Sequence, residues 1–541
     1  MSDLKEYIVS AVSYEVLDEL CNDIETPGGA LYIPNRAVEV ANLRPMSRNT
    51  HYYLTAEEAE QLRQDPRVLS VENMPEDLGV KPMPMYVQTE SNWDKSSFSV
   101  STHKNWGLLR VFEGKTRPNW GSNSVSNQSG TINIPVEGRN VDVVIVDGLI
   151  NPAHPEYARN SNGTGGTRVN QYNWYQLNPQ VTGGAAGTYV YTPYTGTSIE
   201  GNNNHGAHVA GTVAGNTQGW ARGATIYNIY PYGTNPSPLF IFDYIRAFHR
   251  AKPINPVTGV RNPTIVNNSW GYTSSIPISS ITSIVYRGTT YNGPFNQTQL
   301  SNFGIFSLDG GVNAVMSFKY TALDADVADA ISEGIIIVGA ATNNYQKIDV
   351  EGGVDYNNYA MYSGIQYYYN RGSSPGSSSS SICVGAVDSL VAENKALFSN
   401  CGPRVDVYAP GQNIMSSFNS TASYGGTTDP RNSSYFIGKI SGTSMASPQV
   451  CGLLACLLEV YPNMTHAQAR DYIEKLSKTG QITSTSGGPS DATDLQGSPN
   501  RYLTYVNERP TEGAAYPKNN YKARPASGPV FPRTRILRFG R

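Results

Sequence analysis

Hydrophobic and polar positions along this chain form a few runs whose spacing predicts elements. Val143-Val144-Ile145-Val146 is an unbroken β-branched stretch ending at Asp147-Gly148. That is the pattern of a strand buried on both faces of a parallel sheet, with a carboxylate at its C-terminal end. Val450-Cys451-Gly452-Leu453-Leu454-Ala455-Cys456-Leu457-Leu458 is apolar on every side and predicts a helix buried in a large domain. The preceding Gly442-Thr443-Ser444-Met445-Ala446-Ser447-Pro448 turns sharply at Gly442 and puts Pro448 in a first helical turn. Asn204 to Gly215 predicts a second helix of small residues, with His205 and His208 on its first turn.

The N-terminal pattern is that of a separate small domain. Tyr7–Val12 reads as a strand, and Tyr14–Ile24 has helical spacing with Val16, Leu17, Leu20 and Cys21 on one face. Ala30–Ile33 and His51–Leu54 read as further strands. Thr55-Ala56-Glu57-Glu58 is a capping box opening a helix through Leu62, and Val68–Glu72 closes as a strand. The order β-α-β-β-α-β is ferredoxin-like. Residues 1–80 are therefore assigned to an α+β domain and residues 81–104, rich in Pro, Met and Ser, to a linker with a processing site. Residues 105–487 are assigned to an α/β domain with a mostly parallel central sheet flanked by helices, and residues 488–541 to a C-terminal extension with a basic tail.

Three of these segments carry chemistry. Ser444 would sit at the N-terminus of a buried helix, where free N–H groups and the dipole favour developing negative charge. Asp147 at a strand end needs a partner, because a lone buried carboxylate is costly. His205 supplies a base. The alternative for each is structural, a helix start of small residues that merely packs tightly. The chain order Asp, His, Ser is the one known for subtilisin.

Asp147 with His154-Pro155-Glu156, the block His205-Gly206-Ala207-His208-Val209-Ala210-Gly211, and Gly442-Thr443-Ser444 together resemble the subtilisin-like serine proteases, the subtilase family S8. Ile335 to Asn343 resembles the strand that carries the family's oxyanion-hole asparagine, and Asn267-Asn268-Ser269-Trp270-Gly271 the strand lining its substrate cleft. Val384–Asp388 and Val405–Gly411 also fit. The resemblance implies catalytic roles for Asp147, His205, Ser444 and Asn343, and substrate binding by Ser269, Trp270 and Gly271. It also implies a subtilisin-like sheet, peptide or protein substrates, and an inhibitor I9-like propeptide in the N-terminal domain that acts as an intramolecular inhibitor. The departures are Gly148-Leu149 after the aspartate, Ala207 between the histidines, and Thr342 before Asn343, with Asn344 directly after it. A catalytically inactive subtilase-fold binding module, in a larger assembly such as a virion, is the alternative reading.

Composition narrows partners. A net charge of −3 and a pI near 6.2 give no electrostatic case for nucleic acid, and no apolar run reads as a membrane span. The five cysteines, Cys21, Cys383, Cys401, Cys451 and Cys456, read as buried thiols. No cofactor is required. His154 and His208 match no zinc spacing. Glu156 matches a family calcium ligand, but the loop Gly215–Trp220 looks shortened where a tight calcium site would form. Met1-Ser2-Asp3-Leu4-Lys5-Glu6 lacks a basic n-region and an apolar h-region, so an intracellular or assembly-associated setting is expected over conventional secretion. Surface insertions rich in Tyr, Asn and Gly are expected between Trp270 and Asp324 and between Tyr345 and Ser381. The latter ends in the low-complexity run Ser373–Ser381. The basic tail reads as a solvated segment, with docking on a partner protein as the alternative.

Overall fold

Alternation of buried and exposed residues builds the first sheet. The computed structural model describes residues 4–38, 49–74, 86–95, 104–118, 120, 128–194, 204–233, 236–307, 310–420 and 426–505. It divides into two compact units, Met1–Met83 with Arg509–Arg541, and Pro84–Glu508. In the first unit, strand β1 (Lys5–Ala11) buries Tyr7, Val9 and Ala11 and lies between β2 (Asn49–Leu54) and β3 (Val68–Asn73), both antiparallel to it. Helices α1 (Leu17–Glu25) and α2 (Ala56–Arg63) add Leu20, Cys21, Ile24, Ala59 and Leu62 to the core. The capping box is complete: Glu58 N–H donates to Thr55 Oγ1 at 3.2 Å and Thr55 N–H to Glu58 Oε2 at 2.8 Å.

One expected strand does not form. Ala30–Ile33 lies in turns, because Pro27-Gly28-Gly29, with Gly28 at φ 95°, folds the chain back on α1. The Ile33 N–H then donates to the carbonyl of Ile24 at 2.7 Å, not to a sheet neighbour. Among the described residues of this unit the sheet has three paired strands, not four.

The second unit begins earlier than the linker reading allowed. Strand β4 (Tyr86–Trp93) pairs antiparallel with β5 (Gln128–Ile134), and Trp93, Asp94 and Lys95 are buried. The Lys95 ammonium lies 3.0 Å from Glu393 Oε1, with Trp106 and Trp120 rings at 4.6 and 5.0 Å. On helix α3 (Trp106–Glu113), Arg110 completes a bidentate pair with Glu393 at 2.7 Å through each nitrogen, and stacks over Tyr502. Residues 81–104 thus include a strand and a buried cation of this unit.

The central sheet follows from the apolar β-branched runs. It takes in β6 (Asp142–Val146) and β7 (Val169–Asn170). Helix α4 (His205–Ala214) then leads to β8 (Thr225–Ile229), and α5 (Ile241–Ala251) to β9 (Thr264–Asn268). Two insertions follow, where β10 (Thr273–Pro277), β11 (Ser283–Tyr286), β12 (Thr289–Asn292) and β13 (Asn313–Ser317) precede α6 (Thr321–Ser332) and β14 (Ile336–Ala340), and β15 (Tyr359–Tyr362) and β16 (Ile365–Tyr367) follow it. They are not separate surface loops. Strands β12-β11-β15-β16 make one sheet over a core of Ile276, Ile278, Ile284, Leu300, Met316 and Tyr369. Much of the serine run is buried as well, with Ser379 exposed: Ser373, Ser374 and Ser381 hydroxyls donate to the carbonyls of Tyr272, Tyr320 and Gly376.

The chain then continues through β17 (Ile382–Val387), β18 (Val407–Pro410), the three-stranded sheet of β19 (Ile414–Phe418), β20 (Thr427–Asp429) and β21 (Asn432–Ile440), and helices α7 (Thr443–Val460) and α8 (His466–Leu476). Short strands β22 (Lys478–Thr479) and β23 (Arg501–Tyr502) finish it. The nine-stranded order is β22-β23-β18-β17-β14-β9-β6-β8-β7, parallel throughout except between β22 and β23. Tyr502 and Leu503 are buried and Tyr505 N–H donates to Val111 O, so the packed chain passes the expected boundary at 487. The basic tail beyond 505 lies outside the described residues. Helix α7 is long and apolar enough to cross a membrane, with mean hydropathy 1.3, which corrects the reading that no such run exists. However, 89% of it is buried inside the protein, as befits a core helix. All five cysteines are buried and none is in a disulfide among the described residues.

Removing one partner of a buried ion pair leaves an unpaired buried charge. Glu393→Ala should therefore lower stability by about 3–5 kcal/mol in urea unfolding. A chain starting at Asn105 should unfold at lower denaturant than one starting at Pro84, because it lacks Trp93 and Lys95.

Candidate active site

Parallel neighbours in register put their C-terminal ends on one edge. Val146 pairs with Ile229 on β8 and with Asn268 on β9, which in turn pairs with Gly339 on β14. The residues just after β6, β9 and β14 therefore gather where open parallel sheets bind their ligands. They include Asp147, Ser269 and Asn343.

Asp147 is fully buried, and its Oδ1 accepts from Gly148 N–H at 2.6 Å and from His205 Nδ1 at 2.8 Å. His205 opens α4, and Gly206 lets that helix start press on the Gly148 carbonyl, which a Cβ would meet at 2.0 Å. Burial alone would lower the His205 pKa, but the Asp147 carboxylate outweighs it and raises the pKa above the ordinary value. With its Nδ1–H on the carboxylate, the ring keeps the Nε2 lone pair for proton transfer.

Ser444 stands in the first turn of α7. Its hydroxyl donates to the Ser269 carbonyl at 3.1 Å. Pro448 is not in the first turn as expected but at the sixth helical residue. Lacking an N–H, it leaves the Ser444 carbonyl without its helical donor. The Ser269 hydroxyl supplies one at 2.9 Å, and is itself held by Asn267 Nδ2 at 2.8 Å. One residue just past the adjoining strand thus holds both the nucleophile's hydroxyl and its carbonyl. Nothing in the local spacing of Ser269 signals this second contact.

Asn343 Oδ1 accepts from the Thr443 N–H and hydroxyl, both at 2.9 Å. This network assigns the amide orientation and turns Nδ2 toward Gly442. A Cβ on Gly442 would lie 3.4 Å from Asn343 Nδ2 and 3.5 Å from Ser444 N. Two nitrogens that carry N–H groups thus lie at contact distance from the space a side chain would fill. Asn344 turns the other way, buried, with Nδ2 donating to Ser317 Oγ at 3.2 Å. Trp270 packs edge-on to Tyr272 at 5.8 Å, and Gly271 forms a bridge with Pro375.

The sequence pattern of the subtilase family matches residues 138–498. The chain belongs to the subtilase family. It is 26% identical over 417 residues to the extracellular serine proteinase of Thermus sp. (strain Rt41A), covering 76% of this chain and 66% of that protein. It is also 26% identical over 406 residues to the subtilisin-like serine protease Pen ch 18 of Penicillium rubens, covering 74% of this chain and 60% of that protein. It thus spans about three fifths to two thirds of these relatives' lengths. A solved cold adapted subtilisin-like serine proteinase aligns with 74% of this chain and 98% of its own, at 19% identity and a TM-score of 0.43.

The remaining candidates have structural partners. His208 Nε2 bonds the Ile414 carbonyl at 2.7 Å, and burial pushes its pKa down to about 3. His154 accepts from Glu156 N–H on Nδ1 and bonds the Phe436 carbonyl through Nε2. Among the described residues no cluster of three or more His, Cys, Asp or Glu side chains forms a metal site. The Glu156 carboxylate accepts from the Thr217 N–H and hydroxyl, the Gln218 N–H and the Arg431 guanidinium. Arg431 also pairs with Asp429 at 2.6 Å.

Burial alone would raise the Glu156 pKa, yet Arg431 and the Thr217 bonds hold it near 2. A depressed folded value contributes stability that is complete above the ordinary value of 4.5 and is lost as pH falls toward 2. Arg431→Met should move acid unfolding to higher pH, read by circular dichroism, while a chelator should leave the wild-type melting temperature unchanged.

Proposed function

We propose that this chain is a serine endopeptidase acting through Ser444, His205 and Asp147. The observation that carries the reading is that Asn343 Nδ2 and the Ser444 backbone nitrogen both lie beside the Cβ position of Gly442, on the same sheet edge as a carboxylate-bound histidine. Ser444 Oγ attacks the scissile carbonyl carbon as its proton passes to His205 Nε2. Asp147 stabilises the resulting imidazolium, and Asn343 with Ser444 N–H holds the oxyanion. Collapse returns the proton to the leaving amine and leaves an acyl-enzyme on Ser444, which water, deprotonated by His205, hydrolyses. Extended peptides add along Ser269-Trp270-Gly271. Because Gly271 bridges Pro375 and Tyr272 N–H donates to Ser374 O, the substrate takes the opposite edge of that segment.

The N-terminal unit is read as an inhibitor I9-like propeptide. Tethered ahead of the protease, it acts as an intramolecular inhibitor at high effective concentration until Ser444 cuts the connection. Strand β4 stays with the second unit, so the cut falls between Asn73 and Tyr86. A mass shift of that size in wild type, absent from Ser444→Ala, supports self-processing. An intact and fully active wild type overturns it.

Ser444→Ala should abolish casein cleavage and fluorophosphonate labelling without unfolding. A wild type that does neither establishes the inactive binding module instead. Gly442→Ala places a methyl between the two donors at ordinary contact distances, so it should fold but lose about 10²–10³ in kcat. Because His205 must be neutral to act and its pKa is raised, activity should rise with pH through a limb above 6.5. Asp147→Asn should shift that limb down and cost about 10⁴ in kcat.

A further inference from the structure

The Asn343 amide serves as an oxyanion donor only if the turn carrying it keeps one conformation, and the residue before it is strained. Thr342 has φ 73°, in the left-handed region that β-branched side chains rarely occupy and glycine enters freely. Its hydroxyl has three partners: Oγ1 donates to the Ala341 carbonyl at 2.5 Å, accepts from Asn400 Nδ2 at 2.6 Å, and lies 3.4 Å from Ser317 Oγ. The Asn400 N–H donates to the Thr342 carbonyl at 3.0 Å. Asn400 Oδ1 accepts from the N–H groups of Asn344 and Gln346, each at 3.0 Å. Asn400 is fully buried, and its Nδ2 also donates to Ser317 Oγ at 3.2 Å. One side-chain amide therefore ties residues 342, 344 and 346, and leaves Asn343 between them turned toward Thr443.

We propose that Asn400 and the Thr342 hydroxyl form a positioning device that aims the Asn343 amide at the oxyanion. The proposal rests on the serine endopeptidase reading. Asn400 touches neither substrate nor reacting atoms. It acts by making threonine hold a backbone shape that glycine would adopt unaided. Only an amide supplies the donor for Thr342 and the acceptor for Asn344 and Gln346 at once.

The roles separate by substitution. Thr342→Val keeps the shape of the side chain and every acceptor bond of Asn400 Oδ1, but removes the hydroxyl. Asn400→Ala removes every side-chain bond of the clip and keeps the backbone N–H on the Thr342 carbonyl. Both should lower kcat tenfold or more with KM within twofold, since the donor acts on the transition state and not on ground-state binding. Adding Thr342→Gly to Asn400→Ala should restore most of the lost kcat, while the urea midpoint stays low because the Asn344 and Gln346 N–H groups still lack their acceptor. A merely structural role would recover neither or both.

Retention of kcat in Thr342→Val and Asn400→Ala, or failure of glycine to restore it, overturns the device. Absence of fluorophosphonate labelling in the wild type overturns the enzymatic reading instead. In that event crystal structures of the two variants decide the device, because an Asn343 amide still seated on Thr443 in both would refute it.

Discussion

A helix that is apolar on all sides has to be surrounded, and the burial of Thr443–Val460 is the constraint to which the second unit answers. Strands β9, β14, β17 and β18 cover it on one side and helix α4 on another. With its sides used for packing, only its ends are left for chemistry. The N-terminal end has the free N–H groups. Pro448 adds a further demand by releasing the Ser444 carbonyl, which the Ser269 hydroxyl meets at 2.9 Å. The nucleophile is therefore held by strand register as well as by helix position. Moving β9 by one residue would turn Ser269 to the other face and undo both contacts.

Long-period patterns were legible before any coordinates. The β-branched run before Asp147, the all-apolar helix after Ser444, and the Thr55–Glu58 capping box appear where their spacing puts them. What was not legible has physical causes. Ala30–Ile33 has strand composition, but Gly28 and the Ile24 carbonyl tie it back to a helix. The Ser373–Ser381 run looks like the low-complexity end of a surface insertion because hydroxyls are polar, yet Ser373 and Ser374 are buried with carbonyl partners supplied by distant residues. Neither outcome depends on the residues themselves; both depend on what lies beside them in space.

Charge was the least readable property. Composition shows a charged content of 15%, but not which charges are buried. Lys95 and Arg110 meet Glu393 across almost 300 positions of sequence, and Glu156 meets Arg431 across nearly as many. Such pairs stabilise only while all members are present. They tie the segment before α3 and the β20–β21 turn to the core more specifically than apolar contact would. That is why a stretch with the composition of a linker, Tyr86–Lys95, is part of the packed unit.

The same logic applies at the catalytic edge. A motif read by residue type treats a threonine in place of a glycine as a defect, because the left-handed backbone disfavours it. In this chain, the carbonyl of Ala341 and the amide of Asn400 make the substitution self-consistent. A backbone conformation can be specified by freedom from sterics or by hydrogen bonds that outweigh them, and only the first leaves a glycine in the sequence. The second leaves its trace elsewhere, in a buried asparagine some sixty residues away, whose importance cannot be read until the turn it clasps is known.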